Sequence, residues 1–412
     1  MASLRLKLKR RYYKKNDIMN KYISKRNSIF LGTLVGLATL FTSCEDNPIP
    51  LRDPNTSGGQ QINYTWEQTA DSLQLSTYNN YLGSNGTFVE NNTGTSTFHY
   101  WPNAHALDVL VDGYLRTNDE NYISRMKALV QGIRVRNGNT YNNVFNDDMI
   151  WLALSSLRAY DATDDQEYKD VADELWGRIK LSWSDDVFGG GITWKQDTPR
   201  QKNAVSNAPA AIIALRLYAI DNDPEDLEWA IKIYEWQKNN LVDPVTGAVW
   251  DNISEQNNVI VTNKDWVFTY NMGTWIGAAL RLYDVTNDPV YLNDAVKTAR
   301  NSMVNPKLLS EGLLRDEGQG DGGLFKGILV RYFAEIIAHP SITDNDRRNF
   351  ANFMKFNAQT LYRRGIMRPS MFCGSNWRVA PAVGGNTDLT TQLSGVMLIE
   401  AAAKLDKDGF FE

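Results

Sequence analysis

Apolar residues recur at the three- and four-residue spacing of helices along most of the chain beyond residue 65. Twelve segments carry the pattern, near 66–82, 102–117, 120–134, 147–162, 165–180, 203–221, 224–238, 271–286, 289–303, 323–338, 343–362 and 387–404. The connections between them alternate in length. Those near 118, 163, 222, 287 and 340 are about two to four residues, whereas 83–101, 135–146, 181–202, 239–270, 304–322 and 363–386 are about 12 to 32. Long irregular connections in a compact domain are usually functional.

The short turns repeat one phrase. Tyr218-Ala219-Ile220-Asp221-Asn222-Asp223-Pro224 matches Tyr283-Asp284-Val285-Thr286-Asn287-Asp288-Pro289, and related versions begin at Tyr114 and Tyr160. Asp223 and Asp288 stand where an N-cap belongs, with Pro224 and Pro289 at the first helical position. Each unit is therefore helix, tight turn, helix, repeated about every 42 to 65 residues with variable insertions. Antiparallel helices joined this way place every short turn at one end and every long loop at the other. The helices beginning near 102, 147, 203, 271, 323 and 387 are rich in Ala, Leu and Gly and predict an inner ring, and their more charged partners an outer one. The expected fold is all-α, an (α/α)6 barrel of six helical hairpins, preferred over an open solenoid because six pairs close a ring. The inner N-termini open onto the long-loop face, where unpaired N–H groups and partial positive charge gather, so the active site is expected there.

The N-terminal end reads differently. Residues 1–43 carry ten basic side chains and one acidic, then an apolar stretch over 29–41 that ends in Thr42-Ser43-Cys44. That stretch falls short of the roughly 20 residues that span a bilayer, and it predicts a secretory signal peptide over 1–43. Cys44 after Thr42-Ser43 resembles a bacterial lipobox, with Phe41 where Leu is usual, and implies lipidation of Cys44. Glu45-Asp46 resembles the surface-export signal of Bacteroidetes lipoproteins. Residues 44–62 read as a flexible tether and 63–412 as the catalytic domain. An outer-membrane lipoprotein facing the cell surface or the periplasm is expected, held to the membrane by its lipid anchor. The first 43 residues hold a net +9 and the whole chain −5, so the remainder is at −14. Such a surface repels phosphate backbones, which excludes nucleic acid as a partner. Cys373 is the one cysteine besides Cys44, and His99, His105 and His339 are the only histidines, so no disulfide framework, zinc motif or other metal site is expected. No cofactor and a monomer are expected.

Three adjacent acid pairs compete for a chemical role. Asp164-Asp165 falls in a short turn, Asp185-Asp186 in a long loop, and Asp147-Asp148 in the first turn of an inner helix. Aspartate there is also what simple capping favours. Retaining glycosidases, however, need two carboxyls about 5–5.5 Å apart, one nucleophile and one acid/base. The helix N-terminus favours an ionised nucleophile, and like charge beside it keeps the partner protonated. Six of the twelve tryptophans map to the long-loop side, at 101, 183, 194, 250, 266 and 377, where flat aromatic faces suit sugar rings.

These blocks together resemble glycoside hydrolase family 76, the endo-α-1,6-mannanases and related fungal transglycosidases, over about 100–404. Asn146-Asp147-Asp148-Met149-Ile150-Trp151 resembles the family's paired-aspartate motif. Gly189-Gly190-Gly191-Ile192-Thr193-Trp194 with Lys202-Asn203-Ala204-Val205-Ser206-Asn207 resembles its Gly- and Asn-rich block. Thr269-Tyr270-Asn271-Met272-Gly273 and Phe325-Lys326-Gly327 resemble two later motifs. The resemblance implies a retaining, metal-free hydrolysis of α-mannan or manno-oligosaccharides, with Asp147 as nucleophile and Asp148 as acid/base. Substrate contacts are expected from Trp101, Trp194, Asn203, Asn207, Trp250, Tyr270, Asn271 and Lys326. Met272 and Thr193 depart from the family pattern at positions expected to line subsites. Two rivals remain in view: a non-catalytic glycan-binding surface lipoprotein, and an (α/α)6 hydrolase of another sugar such as an uronide. The uronide reading is kept open by Arg200 and Lys202.

Overall fold

The computed structural model describes residues 65–411. The expected signal, the tether and Cys44 lie outside the described residues. Twelve α-helices are present among the described residues: α1 (Trp66–Tyr81), α2 (Tyr100–Thr117), α3 (Asn121–Arg136), α4 (Asn146–Thr163), α5 (Gln166–Lys180), α6 (Ala204–Asp221), α7 (Pro224–Leu241), α8 (Thr269–Thr286), α9 (Pro289–Ser302), α10 (Gly322–Ala338), α11 (Asp344–Thr360) and α12 (Leu389–Lys407). All twelve expected helices are found, with ends within a few residues.

The repeated phrase has a repeated geometry. Asn118, Asp164, Asn222 and Asn287 each take a left-handed conformation, and each backbone N–H bonds back to the carbonyl of the tyrosine four residues earlier. Asn and Asp tolerate this conformation better than other side chains. One residue later, Asp165, Asp223 and Asp288 accept a hydrogen bond from the second N–H of the next helix. The turn therefore ends one helix and starts the next within two residues.

Helices α2, α4, α6, α8, α10 and α12 pack each against the next, and α12 returns to α2. They are the inner ring, buried along most of their length. Gly273 and Gly277 let α8 meet α10 closely, since a Cβ at either would stand 2.7 Å from Leu329 or 2.3 Å from the Tyr332 ring. The outer ring is α3, α5, α7, α9, α11 and α1, and this is an (α/α)6 barrel. Its sixth pair is made of the first and last helices among the described residues. There Gln74 of α1 donates to the Val109 carbonyl of α2 and to Glu400 of α12. Arg116 of α2 grips Glu400 and Asp71.

Three small antiparallel sheets decorate the long-loop end. Strand β1 (Gln201–Asn203) pairs with β2 (Asn252–Gln256), Lys202 opposite Ile253, and β2 pairs with β3 (Val259–Thr262). Asn257 and Asn258, both at positive φ, make the tight turn between β2 and β3. Two-residue hairpins β4–β5 (Leu309–Ser310, Leu313–Leu314) and β6–β7 (Ile366–Met367, Phe372–Cys373) fold the later loops.

Candidate active site

Helix α4 starts at Asn146, so Asp147 and Asp148 fall in its first turn, on the long-loop face. Asn146 fastens the neighbouring loop there. Its Nδ2 donates to the Thr193 carbonyl (2.8 Å) and hydroxyl (3.1 Å), and its backbone N–H to the Trp194 carbonyl (2.9 Å). That pinning aims Trp194 at the pair, and its Nε1 donates to Asp147 Oδ2 at 3.1 Å. Asp147 Oδ1 is buried with no protein partner.

The loop itself is braced from behind. Gly190 and Gly191 hold positive φ, and a Cβ on Gly191 would stand 2.6 Å from the Trp236 ring. Buried Lys202 donates to the carbonyls of Ser184 (2.8 Å), Val187 (2.7 Å) and Gly190, so its ammonium occupies a nest of oxygens.

Burial dominates the titration of the pair. It raises Asp147 to about 7, against the pull of the Trp194 hydrogen bond and the helix N–H groups. Asp148 is raised well above its ordinary value, by burial first and then by the charges of Asp147 and Asp321. The charge of Asp147, once formed, favours the protonated form of Asp148.

Two carboxylates outside any motif complete the site. Asp321, just before α10, accepts from Trp101 Nε1 at 3.1 Å. A groove of about 220 Å³ opens beside it, between Trp101, Pro102, His99, Glu90 and Asp388. Asp251 is buried, and its Oδ1 accepts from Tyr270 Oη and Asn271 Nδ2, both at 2.9 Å. Asn203 approaches its Oδ2 at 3.4 Å. Tyr270 stacks on Phe325 with ring centres 3.9 Å apart, and burial first, then Asp251, then the Asp147 charge raise its hydroxyl. Asp251 has no neighbouring acid in sequence and was missed. Asp321 was legible by the rule that found Asp147, an acid at the start of an inner helix.

Trp101, Trp194, Asn203, Tyr270 and Asn271 thus gather around the acids. Trp250 stands partly exposed with the Lys264 ammonium 4.6 Å over its ring. Two expectations need correction. Asn207 is fully buried and clamps Ile192, accepting from its N–H (2.8 Å) and donating to its carbonyl (3.1 Å), so it braces the Gly-rich loop and reaches no cleft. Lys326 is buried beneath Trp377, with its ammonium 4.3 Å from that ring and bonded to the Ser375 carbonyl. Trp377 is itself fully buried. Met272 and Thr193 are also core positions. The Met272 sulfur accepts from the Val249 N–H at 3.2 Å, and Thr193 serves Asn146. Arg200 pairs with Glu255, and Lys202 is spent on carbonyls, so neither faces the acids as an uronate would require.

The sequence model of glycosyl hydrolase family 76 matches residues 62–411. The chain belongs to that family. It is a glycoside hydrolase. The structure is similar to that of an α-1,6-mannanase of Salegentibacter sp. HEL1_6, at 55% identity, covering 83% of this chain and 100% of that one, with a TM-score of 0.81. An inactive variant of that family 76 enzyme, altered at two adjacent aspartates, has a solved complex with α-1,6-mannotetrose. A Listeria innocua protein is similar at 34% identity and a TM-score of 0.77, over 84% of this chain and 99% of that one. Mannan endo-1,6-α-mannosidase of Eremothecium gossypii is 21% identical over 75% of this chain and 69% of its own length. The chain spans only about half (47%) of the corresponding Candida glabrata enzyme.

Proposed function

We propose that this family 76 hydrolase cleaves α-1,6-mannosidic bonds in α-mannan with retention of anomeric configuration. The reading is carried by two consecutive carboxyls in one helical turn, both raised by burial, with the Asp147 charge favouring a protonated Asp148. Asp147, oriented by Trp194, attacks the anomeric carbon. Asp148, still protonated, delivers its proton to the departing glycosidic oxygen. A water deprotonated by Asp148 then releases the mannosyl group and regenerates both acids. Inactivity of the Salegentibacter variant altered at two adjacent aspartates supports these roles. The acid-rich, cation-poor surroundings of the pair favour a neutral sugar over an uronide.

Activity on linear α-1,6-mannan, with Asp147→Asn and Asp148→Asn beside the native protein, tests the reading. Early release of α-anomeric products, seen by proton NMR, together with loss in both variants, is expected. First-formed β-anomers would overturn retention, and mannan binding without cleavage would overturn the substrate. We also propose that Cys44 carries a lipid after removal of residues 1–43. Mass spectrometry of the membrane-extracted protein checks this, and an unmodified Cys44 sinks it.

A further inference from the structure

One helical turn below the active face, the ring encloses a void of about 20 Å³, room for one water-sized particle. Its upper walls are Trp151, Ile212, Ile328 and His105, and guanidinium groups close it from below. Three of these arginines are well partnered. Arg158 and Arg331 share Asp108 and Asp112, and Arg281 holds Glu335 through two bonds of 2.7 and 3.0 Å. Arg216 is not. It makes a single side-chain bond, to Asp161, whose side chain is 54% exposed, and its buried Nε has no partner. Burial and the like charges of Arg281 and Arg158 work against it, and Asp161 and the Glu335 carboxylate offset them only in part. The void's other wall offers a second unsatisfied group, Nε2 of His105, a residue only 4% exposed. A buried charge whose partner lies largely in water, and a buried ring nitrogen with none, are both costly unless something else meets them.

We propose that this void binds a halide ion, held by Arg216 Nε–H and His105 Nε2–H. With His105 in its Nε2–H tautomer both groups donate, so the ligand is an acceptor, negatively charged and small. The indole and aliphatic walls favour a weakly hydrated, polarisable ion over a strongly hydrated oxyanion. The partly exposed arginines at the short-turn end leave a way in.

The purified protein, exchanged into sodium gluconate, is titrated with sodium bromide or chloride at constant ionic strength while Tm is followed. A saturable rise of several degrees is expected with both halides, absent with sulfate and absent in Arg216→Met. A Tm that tracks ionic strength whatever the anion, or an Arg216→Met protein that keeps the halide response, overturns the proposal. Should that variant fail to fold, crystals of the native protein grown in bromide decide. An anomalous peak in the void supports the site, and an empty void overturns it.

Discussion

The two ends of the barrel are built by opposite rules. Helices that begin at the short-turn end are capped by their own preceding side chain: Thr65, Asp165, Asp223, Asp288 and Thr343 all accept from the first turn, with α3 the exception. All six helices that begin at the long-loop end lack such a cap bond. Capping by a side chain is worth about 1 kcal/mol at each start, so the two ends are stabilised by different means. In place of such caps, loop oxygens take the first N–H of four of these helices: the carbonyls of Trp194, Asp251 and Glu90 and the Glu317 carboxylate, and the helix N-termini face the substrate side. One end is optimised for holding the chain together, and the other keeps its polar groups for chemistry.

The sharpest test of this contrast is the pair itself. Asp147→Asn or Asp148→Asn should lower activity about a thousandfold or more, yet raise Tm at pH 8. The sign follows from burial. The folded Asp147 titrates near 7 against an ordinary 3.8. Between those values the folded protein binds more protons than the unfolded chain, so stability is lost as pH rises through that window. Asparagine removes the buried charge and should return on the order of 1–2 kcal/mol, discounted because the carboxyl keeps a partly exposed side. A variant that loses both activity and Tm contradicts the account.

Asn207→Ala should cost about 2–3 kcal/mol, since it strips the Ile192 backbone of two buried hydrogen bonds. Chemical denaturation measures this. Trp194→Phe keeps the ring and removes the N–H that favours ionised Asp147. It should lower kcat/KM roughly 10-fold to 100-fold and move the acid limb of the pH profile to higher pH. An unmoved limb would detach Trp194 from the nucleophile. At the other end, Asp223→Ala should cost only about 1 kcal/mol and leave kcat/KM unchanged.

The difference between the ends also explains what could be read from sequence. The short-turn end is local. A left-handed Asn or Asp and an N-cap Asp act within a few residues, so the repeated phrase revealed the hairpins, their count and the ring. Asp147-Asp148 was legible because two adjacent acids share one helical turn. Asp251 was not, because 104 residues separate it from Asp147 and only ring closure brings them near. Asn207 was misjudged for a related reason. Asn207 at the start of an inner helix looks the same whether it faces a sugar or an extended loop. Its choice depends on where the loop's backbone passes, a matter of tertiary packing. Lys326 was legible in type alone, since its Trp377 and Ser375 partners lie about 50 residues downstream.

The seam between α1 and α12 bears on how the molecule comes into being. Synthesis delivers α1 first, yet Gln74 waits 326 residues for Glu400. Until then α1 has half a partner, and the inner edges of α2 and α10 stand bare. Closing the ring there gathers the longest loop in the described chain and carries the largest closure entropy. A permuted chain opened at the turn after α4, with its present ends joined by a linker, would make α12 and α1 consecutive. It would move the seam to α4 and α5, so the contact that must span the whole chain would then lie beside Asp147 and Asp148.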